Sequence, residues 1–455
     1  MRASVPESRP VCLTIAGSDS GGGAGIQADI KTMEAMGVFA TSAITATTAQ
    51  NTQEVRSSHV LPVPDVAAQL RAVIDDISIA AIKTGMLATA DILDCVTREV
   101  RSLDVPLVVD PVMVAASGDR LLTEEAEAAY DELIAEATIV TPNADEAEVL
   151  TSVELTDVDA QIAAGRELLG TGVDAALVKG GHIPGDPVTD VLVTEETIET
   201  FDHERIDTDA THGSGCLVAS AIAAGLADGV NITEAVSVAL GLAERAVRYP
   251  LAIGDGGGSV HHLVTLRNEA AKATTIDTIG DIVDTVIDAD VDTLVPEVGM
   301  NIVGATPYAE SPDDTAAVEG RIARTTRGVE PTGGIGIGAS SHVARFLLAV
   351  REHDPAIRYA VNCRNDEDVR DSMASLGWSV ASYDRAEQPA EIRKTEGSTM
   401  GWGASTAIEE AGDIPMAIVD PGAHGKEPMT KILARDPHAL TDRICTLHEH
   451  LVRTD

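Results

Sequence analysis

The run Thr211-His212-Gly213-Ser214-Gly215-Cys216 stands immediately before a stretch of small residues, Leu217 to Ala227, that reads as a helix. A glycine-rich turn at a helix N-terminus presents unpaired N–H groups and the positive end of the helix dipole, which suits a phosphoryl group in transfer. Gly213, Ser214 and Gly215 are therefore a candidate phosphate cradle. Cys216 at that terminus should have its thiolate favoured; the alternative is a buried small hydrophobe, the commonest fate of a free cysteine. Asn143-Ala144-Asp145-Glu146 follows a strand-like run, and its oxygen side chains could bind Mg²⁺ directly or through water. A helix cap with a first-turn acid explains the same four residues. Lys179, ahead of Gly180 and Gly181, could reach phosphate oxygens or be a surface lysine at a strand end.

A second glycine-rich run, Gly17-Ser18-Asp19-Ser20-Gly21-Gly22-Gly23-Ala24-Gly25, closes one strand and opens a helix that reaches Asp29. It is not a Walker loop, because no Gly-Lys-Ser/Thr follows; glycines here let backbone approach a ligand or merely make a flexible turn. In the second half, Arg321, Arg324 and Arg327 stand at helix-like spacing before Pro331 to His342, a glycine-rich stretch. Arginines kept in so acidic a chain suggest an anionic ligand, against the alternative of pairing with acids on a solvated helix face. Ser340-Ser341-His342 opens a helix and offers hydroxyls, N–H groups and an imidazole to phosphate. The segments Arg393 to Trp402 and Asp420 to Pro428, the latter containing Lys426, also combine glycine with cations or hydroxyls.

The elements that position these residues alternate. Val11 to Ala16, Ser42 to Thr48, Ala80 to Lys83, Leu107 to Asp110, Thr138 to Thr141 and Ala175 to Lys179 read as strands. Val66 to Ile77, Ala90 to Leu103 and Glu124 to Ala137 read as amphipathic helices. This is the pattern of a mostly parallel α/β sheet covered on both faces, whose ligands gather beyond the strand C-termini. At 455 residues the chain calls for two units: residues 1–265, a polar linker 266–278, and a smaller α/β domain 279–455 that restarts with a helix over Ile279 to Ile287.

A net charge of −41 opposes a nucleic-acid partner. Spread over the whole chain, it suits a salt-rich cytoplasm, where screening relieves self-repulsion. The five scattered cysteines show no C-x-x-C spacing and read as reduced thiols. No apolar run approaches a membrane span, and Met1 to Pro10 has no apolar signal core, so a soluble intracellular protein is expected.

Gly17 to Asp29, Ala49-Gln50-Asn51, Lys83-Thr84-Gly85-Met86, Val109-Asp110-Pro111-Val112-Met113, Thr141-Pro142-Asn143, Lys179-Gly180-Gly181-His182 and His212 to Cys216 occur in the order found in hydroxymethylpyrimidine and hydroxymethylpyrimidine phosphate kinases. From Val11 to His262 the chain resembles that branch of the ribokinase-like superfamily, which implies a three-layer α/β/α kinase domain. The resemblance implies that Gln50 holds the aminopyrimidine, since an amide matches adjacent donor and acceptor groups. It puts Gly17, Asp29, Met86 and Val112 at the other pocket positions. It makes Cys216 the base, Asp110, Asn143 and Glu146 the organisers of Mg²⁺, and Lys179 the partner of the ATP phosphates. Related pyridoxal kinases are the nearest enzymatic alternative; the cysteine at 216 argues against them, because many carry aspartate there.

Ile279 to Leu451 resembles the archaeal-type thiamine-phosphate synthase domain, through Val318-Glu319-Gly320-Arg321, Gly338 to Arg345 and Gly425-Lys426-Glu427-Pro428. The resemblance implies that Arg321 and His342 are the functional pair and that the reaction joins the pyrimidine diphosphate to hydroxyethylthiazole phosphate. Arg321 and Lys426 suit a diphosphate leaving group. The same domain also occurs as a ligand sensor, so binding of thiamine phosphates without catalysis is the alternative. Both families commonly form homodimers.

Overall fold

A computed structural model describes residues 7–113, 124–389, 398–423 and 427–454. The chain divides into two compact units, Met1–Thr265 and Leu266–Asp455. The first runs β1 (Val11–Asp19), α1 (Gly25–Ala35), β2 (Phe39–Gln50), β3 (Val55–Val60), α2 (Val63–Ile74), β4 (Ala81–Thr84), α3 (Ala90–Val100), β5 (Leu107–Val109), α4 (Glu124–Ile134), β6 (Ile139–Val140), α5 (Ala144–Leu150), α6 (Val158–Leu169), β7 (Ala175–Val178), β8 (Val188–Thr194), β9 (Ile198–His203), α7 (Ser214–Ala227) and α8 (Ile232–Arg248).

Among the described residues these strands form one sheet in the order β3-β2-β1-β4-β5-β6-β7-β8-β9. The six from β2 to β7 are parallel, while β3, β8 and β9 add antiparallel edges. The central strands are short, buried on both faces and rich in Val, Ile and Ala, as a covered parallel sheet requires. Helices α2 to α6 cover one face, with Val66, Leu70, Ile92, Leu93, Leu133 and Leu168 in a single core. On the other face α7 lies against β4 and β5. Its buried side chains include Ala219, Ala221, Ala223 and Ala224, small enough to bring the helix close to the sheet. This is the three-layer α/β/α architecture expected, with Asp19, Gln50, Asp110, Asn143 and Lys179 all at or beyond the strand C-termini.

The second unit contains α9 (Val264–Asp288), β10 (Ile302–Ala305), β11 (Thr315–Val318), β12 (Ile322–Thr325), β13 (Gly328–Pro331), β14 (Ile335–Ile337), α10 (His342–His353), β15 (Tyr359–Arg364), α11 (Glu367–Ser375), β16 (Val380–Ser382), α12 (Ser398–Ala411), β17 (Ala417–Asp420), β18 (Met429–Ala434) and α13 (Pro437–Thr454). The expected linker 266–278 is not irregular chain but part of α9. Ile276, Ile279, Ile282, Val283 and Val286 recur at three- and four-residue spacing and face one core, so the polar composition conceals an amphipathic helix. The main sheet has the order β14-β11-β10-β15-β18-β17-β16 and is antiparallel apart from the β16–β17 pair. Helices α9, α11 and α13 pack on one face, α10 and α12 on the other.

A second correction concerns the arginines. Arg321, Arg324 and Arg327 are not on a helix: Ile322–Thr325 and Gly328–Pro331 form a hairpin. Gly320 (φ 89°) and Gly328 (φ 119°) adopt the left-handed conformation that turns the chain, and the intervening Thr325 and Thr326 favour strand and turn over helix.

Candidate active site

In the first unit a cleft of about 600 Å³ opens at the C-terminal edge of the parallel strands. Gly17, Gln50, Met86 and Val112 line one part; Asp110, Asn143, Glu146, Lys179 and the turn Gly213-Ser214-Gly215-Cys216 line another. A smaller cavity of about 240 Å³ shares Asn143, Lys179, Ser214 and Gly215 and continues to the apolar Leu240, Ala243 and Val247 of α8.

The turn before α7 is built around Gly213, whose φ is 88° and which caps the helix without a side-chain bond. A Cβ there would lie 1.9 Å from the Gly23 carbonyl oxygen, so only glycine lets the two glycine-rich turns meet. Gly215 is similarly close to the cation opposite, because an added Cβ would sit 3.3 Å from Lys179 Nζ. The N-terminal N–H groups of α7 thus face Lys179 across the space where a phosphoryl group would pass.

Beneath the cleft floor the structure buries charge. Lys83 Nζ lies 2.9 Å and 3.1 Å from the two Asp29 carboxylate oxygens, and both side chains are 0% exposed. Thr14 Oγ1 (2.5 Å) and Ser220 Oγ (2.7 Å) also donate to Asp29. Asp29, expected at the substrate pocket, is therefore away from the cleft surface, and its oxygens are already bonded. Lys83 sits 3.8 Å from Asp110 Oδ2, and Lys179 Nζ sits 3.5 Å from Asp110 Oδ1. Asp29, Lys83, Asp110 and Lys179 form a chain of alternating charge that ends at the cleft. Burial alone would lower the ammonium pKa of Lys83, yet Asp29, Cys216 and Asp110 outweigh it and hold the group above its ordinary range. For Lys179 burial is likewise opposed by Asp110 and Glu146, with a net upward shift.

Asn143 and Glu146 make a reciprocal capping box at the start of α5: Glu146 N donates to Asn143 Oδ1 (2.9 Å), and Asn143 N to Glu146 Oε2 (2.8 Å). The cap takes the Asn143 oxygen and leaves that residue an amide N–H₂, while Glu146 keeps a second oxygen. Burial pushes the Glu146 carboxyl up to about 7; Lys179 opposes the shift and Asp110 adds to it. Asp110 Oδ2 is buried without a hydrogen-bond partner. The favoured thiolate expected at Cys216 is overturned: burial raises the thiol to about 12, Asp29 and Asp110 push the same way, and Lys83 only partly offsets them. Desolvation defeats the helix terminus at this position.

Two residues of the cleft were not assigned a role from sequence. Asp19 accepts from the N–H groups of Gly21 (2.8 Å), Gly23 (2.9 Å) and Ala24 (2.8 Å). His212 Nε2 lies 3.3 Å from Asp19 Oδ2. Burial pushes the Asp19 carboxyl up, but His212 and the Ala24 and Gly21 N–H groups outweigh it and hold it below its ordinary range. The available sequence signal was an acid inside a glycine run, which a nest of turn N–H groups commonly surrounds.

In the second unit Arg321 is exposed, its Nη1 donating to the Gly320 carbonyl (2.6 Å) and its backbone N–H to Thr332 Oγ1 (2.8 Å). His342, also exposed, is the first residue of α10, whose N-cap Ser341 makes no side-chain cap bond. Among the described residues no hydrogen bond or ion pair joins Arg321 to His342, and Lys426 lies outside the described residues. The unit's buried charges are elsewhere: Asp420 at the end of β17 accepts from Arg385 Nε (2.7 Å) and Gly422 N (3.0 Å), with Lys431 Nζ 3.5 Å away. Lys431 also stands 4.8 Å over the Phe346 ring, one helical turn below His342. Arg385 and Lys431 carry no signal of this cluster in the sequence, because their partner Asp420 is supplied by another strand.

A parallel α/β sheet with a glycine-rich helix N-terminus, a buried ammonium–carboxylate chain and a cation at its C-terminal edge has the make-up of a small-molecule kinase unit, here followed by a second α/β unit. Residues 19–261 match the phosphomethylpyrimidine kinase family, and residues 279–446 match the family described as thiamine-phosphate synthase ThiN. A hydroxymethylpyrimidine/phosphomethylpyrimidine kinase of Streptomyces coelicolor is 44% identical over 258 residues, which is 56% of this chain and 96% of that one. The bifunctional thiamine biosynthesis protein ThiDN of Methanocaldococcus jannaschii is 30% identical over 431 residues, covering 94% of this chain and 95% of its own. Among solved structures, the ADP complex of Bacillus subtilis pyridoxal kinase superposes with a TM-score of 0.54 at 34% identity, covering 57% of this chain and 99% of the other. Pyridoxal kinase from Staphylococcus aureus in complex with AMP-PCP and pyridoxal gives a TM-score of 0.54 at 30% identity, covering 57% and 96%. The first unit therefore has the ribokinase-like fold. The chain belongs to the family of bifunctional thiamine biosynthesis proteins in which a phosphomethylpyrimidine kinase domain is fused to a thiamine-phosphate synthase domain.

Proposed function

We propose that Gln50, Gly17, Met86 and Val112 hold hydroxymethylpyrimidine and that the kinase unit phosphorylates it twice with ATP, to the monophosphate and then the diphosphate. The observation that carries this reading is the meeting of the α7 N-terminus, Cys216, Asp110, Glu146 and Lys179 in one cleft with Gln50. In each round Cys216, as its thiolate, takes the proton of the attacking oxygen. That oxygen bonds to the γ-phosphorus, the bond from γ-phosphorus to the bridging oxygen breaks, and ADP leaves. Gly213, Ser214 and Gly215 supply N–H groups, and Lys179 a charge, to the phosphoryl oxygens. The apolar Leu240, Ala243 and Val247 suit the nucleotide base. The Asp110 oxygen that makes no hydrogen bond and the second Glu146 oxygen are hard donors lining the same cleft, and so fit Mg²⁺. Asn143 contributes through the cap that orients Glu146. Mg²⁺ held there would neutralise phosphate charge.

The second unit then joins the diphosphate to hydroxyethylthiazole phosphate. The thiazole nitrogen bonds to the pyrimidine methylene, the carbon–oxygen bond to the diphosphate breaks, and thiamine monophosphate and diphosphate result. Arg321 and Lys426 meet the leaving charge, and His342 at the α10 N-terminus positions a phosphate. Among the described residues no helix is long and apolar enough to cross a membrane. With a net charge of −41, the reading includes a homodimer working in a salt-rich cytoplasm.

The test is mass spectrometry of products from hydroxymethylpyrimidine, thiazole phosphate, ATP and Mg²⁺ at high salt. Cys216→Ala should stop pyrimidine phosphorylation, and Arg321→Ala should let the pyrimidine diphosphate accumulate uncoupled. Intact protein that makes the diphosphate but never thiamine monophosphate would leave the second unit a sensor or a degenerate domain and overturn the bifunctional reading.

A further inference from the structure

The amide of Gln50 has two neighbours besides the cleft. One end lies 3.4 Å from His212 Nε2 and the other 3.2 Å from Thr48 Oγ1. The two ends are the same size, so hydrogen bonding alone decides which faces which neighbour. The neighbours leave one answer. Asp19 is held in place by three backbone N–H groups, its side chain is 4% exposed, and it accepts only, so the imidazole nitrogen 3.3 Å from it carries the hydrogen. That nitrogen then has no lone pair for an amide N–H₂. On the other side Thr48 Oγ1 spends its single hydrogen on the Ser18 carbonyl at 3.1 Å, so toward Gln50 it acts as an acceptor. With the single Nε2 hydrogen shared between Asp19 Oδ2 at 3.3 Å and Gln50 at 3.4 Å, both constraints are met when the Gln50 amide is turned so that its carbonyl oxygen faces His212 and its nitrogen faces Thr48. The imidazole is itself wedged against the glycine loop, because a Cβ at Gly23 would lie 2.5 Å from His212 Cδ2.

We infer that His212, fixed by Asp19, is a positioning residue that sets the orientation of the Gln50 amide and thereby the in-plane orientation of the pyrimidine in the cleft. The inference rests on the proposed role of Gln50. An aminopyrimidine offers a donor beside an acceptor, and an amide pairs with it in only one sense. Reversing the amide reverses the ring and carries the hydroxymethyl group away from the phosphoryl donor. Asp19, His212, Gln50 and Thr48 thus form a relay from the glycine-rich loop to the substrate edge, and the relay acts on the pyrimidine rather than on the nucleotide.

Steady-state kinetics of the full chain, varying hydroxymethylpyrimidine and ATP separately, test this. Removing the imidazole in His212→Ala should raise KM for the pyrimidine about tenfold and leave KM for ATP within about twofold. His212→Gln, which restores an N–H donor, should recover most of the loss. On a Gln50→Ala background, His212→Ala should add nothing, because the residue works through that amide. Thr48→Val, which removes the second neighbour without touching the loop, should raise the same KM by a smaller factor. The inference is overturned if His212→Ala raises both KM values alike, leaves the pyrimidine KM unmoved, or adds its full effect to Gln50→Ala. A Gln50→Ala enzyme with unchanged pyrimidine KM overturns instead the assignment of Gln50 as the ring's partner.

Discussion

The two units bury charge in different places relative to the groups proposed to act. In the kinase unit the chain Asp29–Lys83–Asp110–Lys179 begins in the core and surfaces in the cleft, so the dipoles and charges that meet a phosphoryl group are fixed before it arrives. In the synthase unit the buried cluster is Arg385–Asp420–Lys431, while Arg321 and His342 stand in solvent with no described bond between them. The first arrangement spends stability on preorganisation; in the second, the residues proposed to act are left to be gathered by the ligand.

The sharpest way to break that contrast is to remove a charge from each unit. Lys83→Met strands the Asp29 carboxylate in a fully buried site and should cost the kinase unit about 3–5 kcal/mol. Arg321→Ala should change stability by less than about 0.5 kcal/mol, since the side chain is exposed. The two tryptophans, Trp378 and Trp402, both lie in the second unit, so tryptophan fluorescence reports that unit alone and far-UV circular dichroism reports both. A Lys83→Met protein whose dichroism melts unchanged would show that Asp29 and Lys83 are not a buried pair.

Much of the kinase architecture was legible because parallel strands carry continuous Val, Ile and Ala runs and end in glycine turns with polar side chains. The edges β3 and β9 were not, since an exposed strand and a half-exposed alternation are weaker signals than a buried run. Position relative to the sheet was legible, and burial was not. Asp29 looks like a pocket residue until Lys83, fifty-four positions later, comes to lie on it. Cys216 looks like a thiolate until the packing of the cleft floor is known. In the second unit Arg321, Arg324 and Arg327 have the spacing of a helix, but two left-handed glycines make them a hairpin. The Asp420-Pro421-Gly422 turn looked like a phosphate loop, whereas its carboxylate turns inward to Arg385.

The half-buried Cys216 thiol sharpens the kinase side of the comparison further. With Cys216 raised to about 12 by burial, the thiolate is a minor species at neutral pH and grows about tenfold per pH unit. If Cys216 is the base, kcat/KM for the pyrimidine should climb with that slope from about pH 6 to 9. Cys216→Asp, whose carboxyl ionises at lower pH than a thiol in the same site, should move the rise to lower pH. A flat profile in the native protein would remove Cys216 from proton transfer and leave it a packing residue of the cleft.

A graded effect separates the units by acid. Burial holds Glu146 protonated in the folded kinase unit up to about 7, against 4.5 for the ordinary side chain. Between those values the folded state binds more protons than the unfolded one, so stability falls as pH rises, by at most about 1.4 kcal/mol per pH unit from this group. Asp420 has the opposite sign. Burial pushes it up, but Arg385 and Lys431 outweigh burial and hold it well below the ordinary carboxylate range. Its contribution is present above that range and is lost only as pH falls through the depressed folded value. Taking the protein from pH 7 to 5 at constant high salt should therefore strengthen the kinase unit through Glu146 and leave the Asp420 contribution to the synthase unit intact. The difference between native protein and Glu146→Gln, followed by dichroism, isolates the first term; tryptophan fluorescence of Asp420→Asn below pH 4 isolates the second. Equal pH slopes for native protein and Glu146→Gln would mean that Glu146 is already ionised in the folded cleft, with Lys179 outweighing its burial.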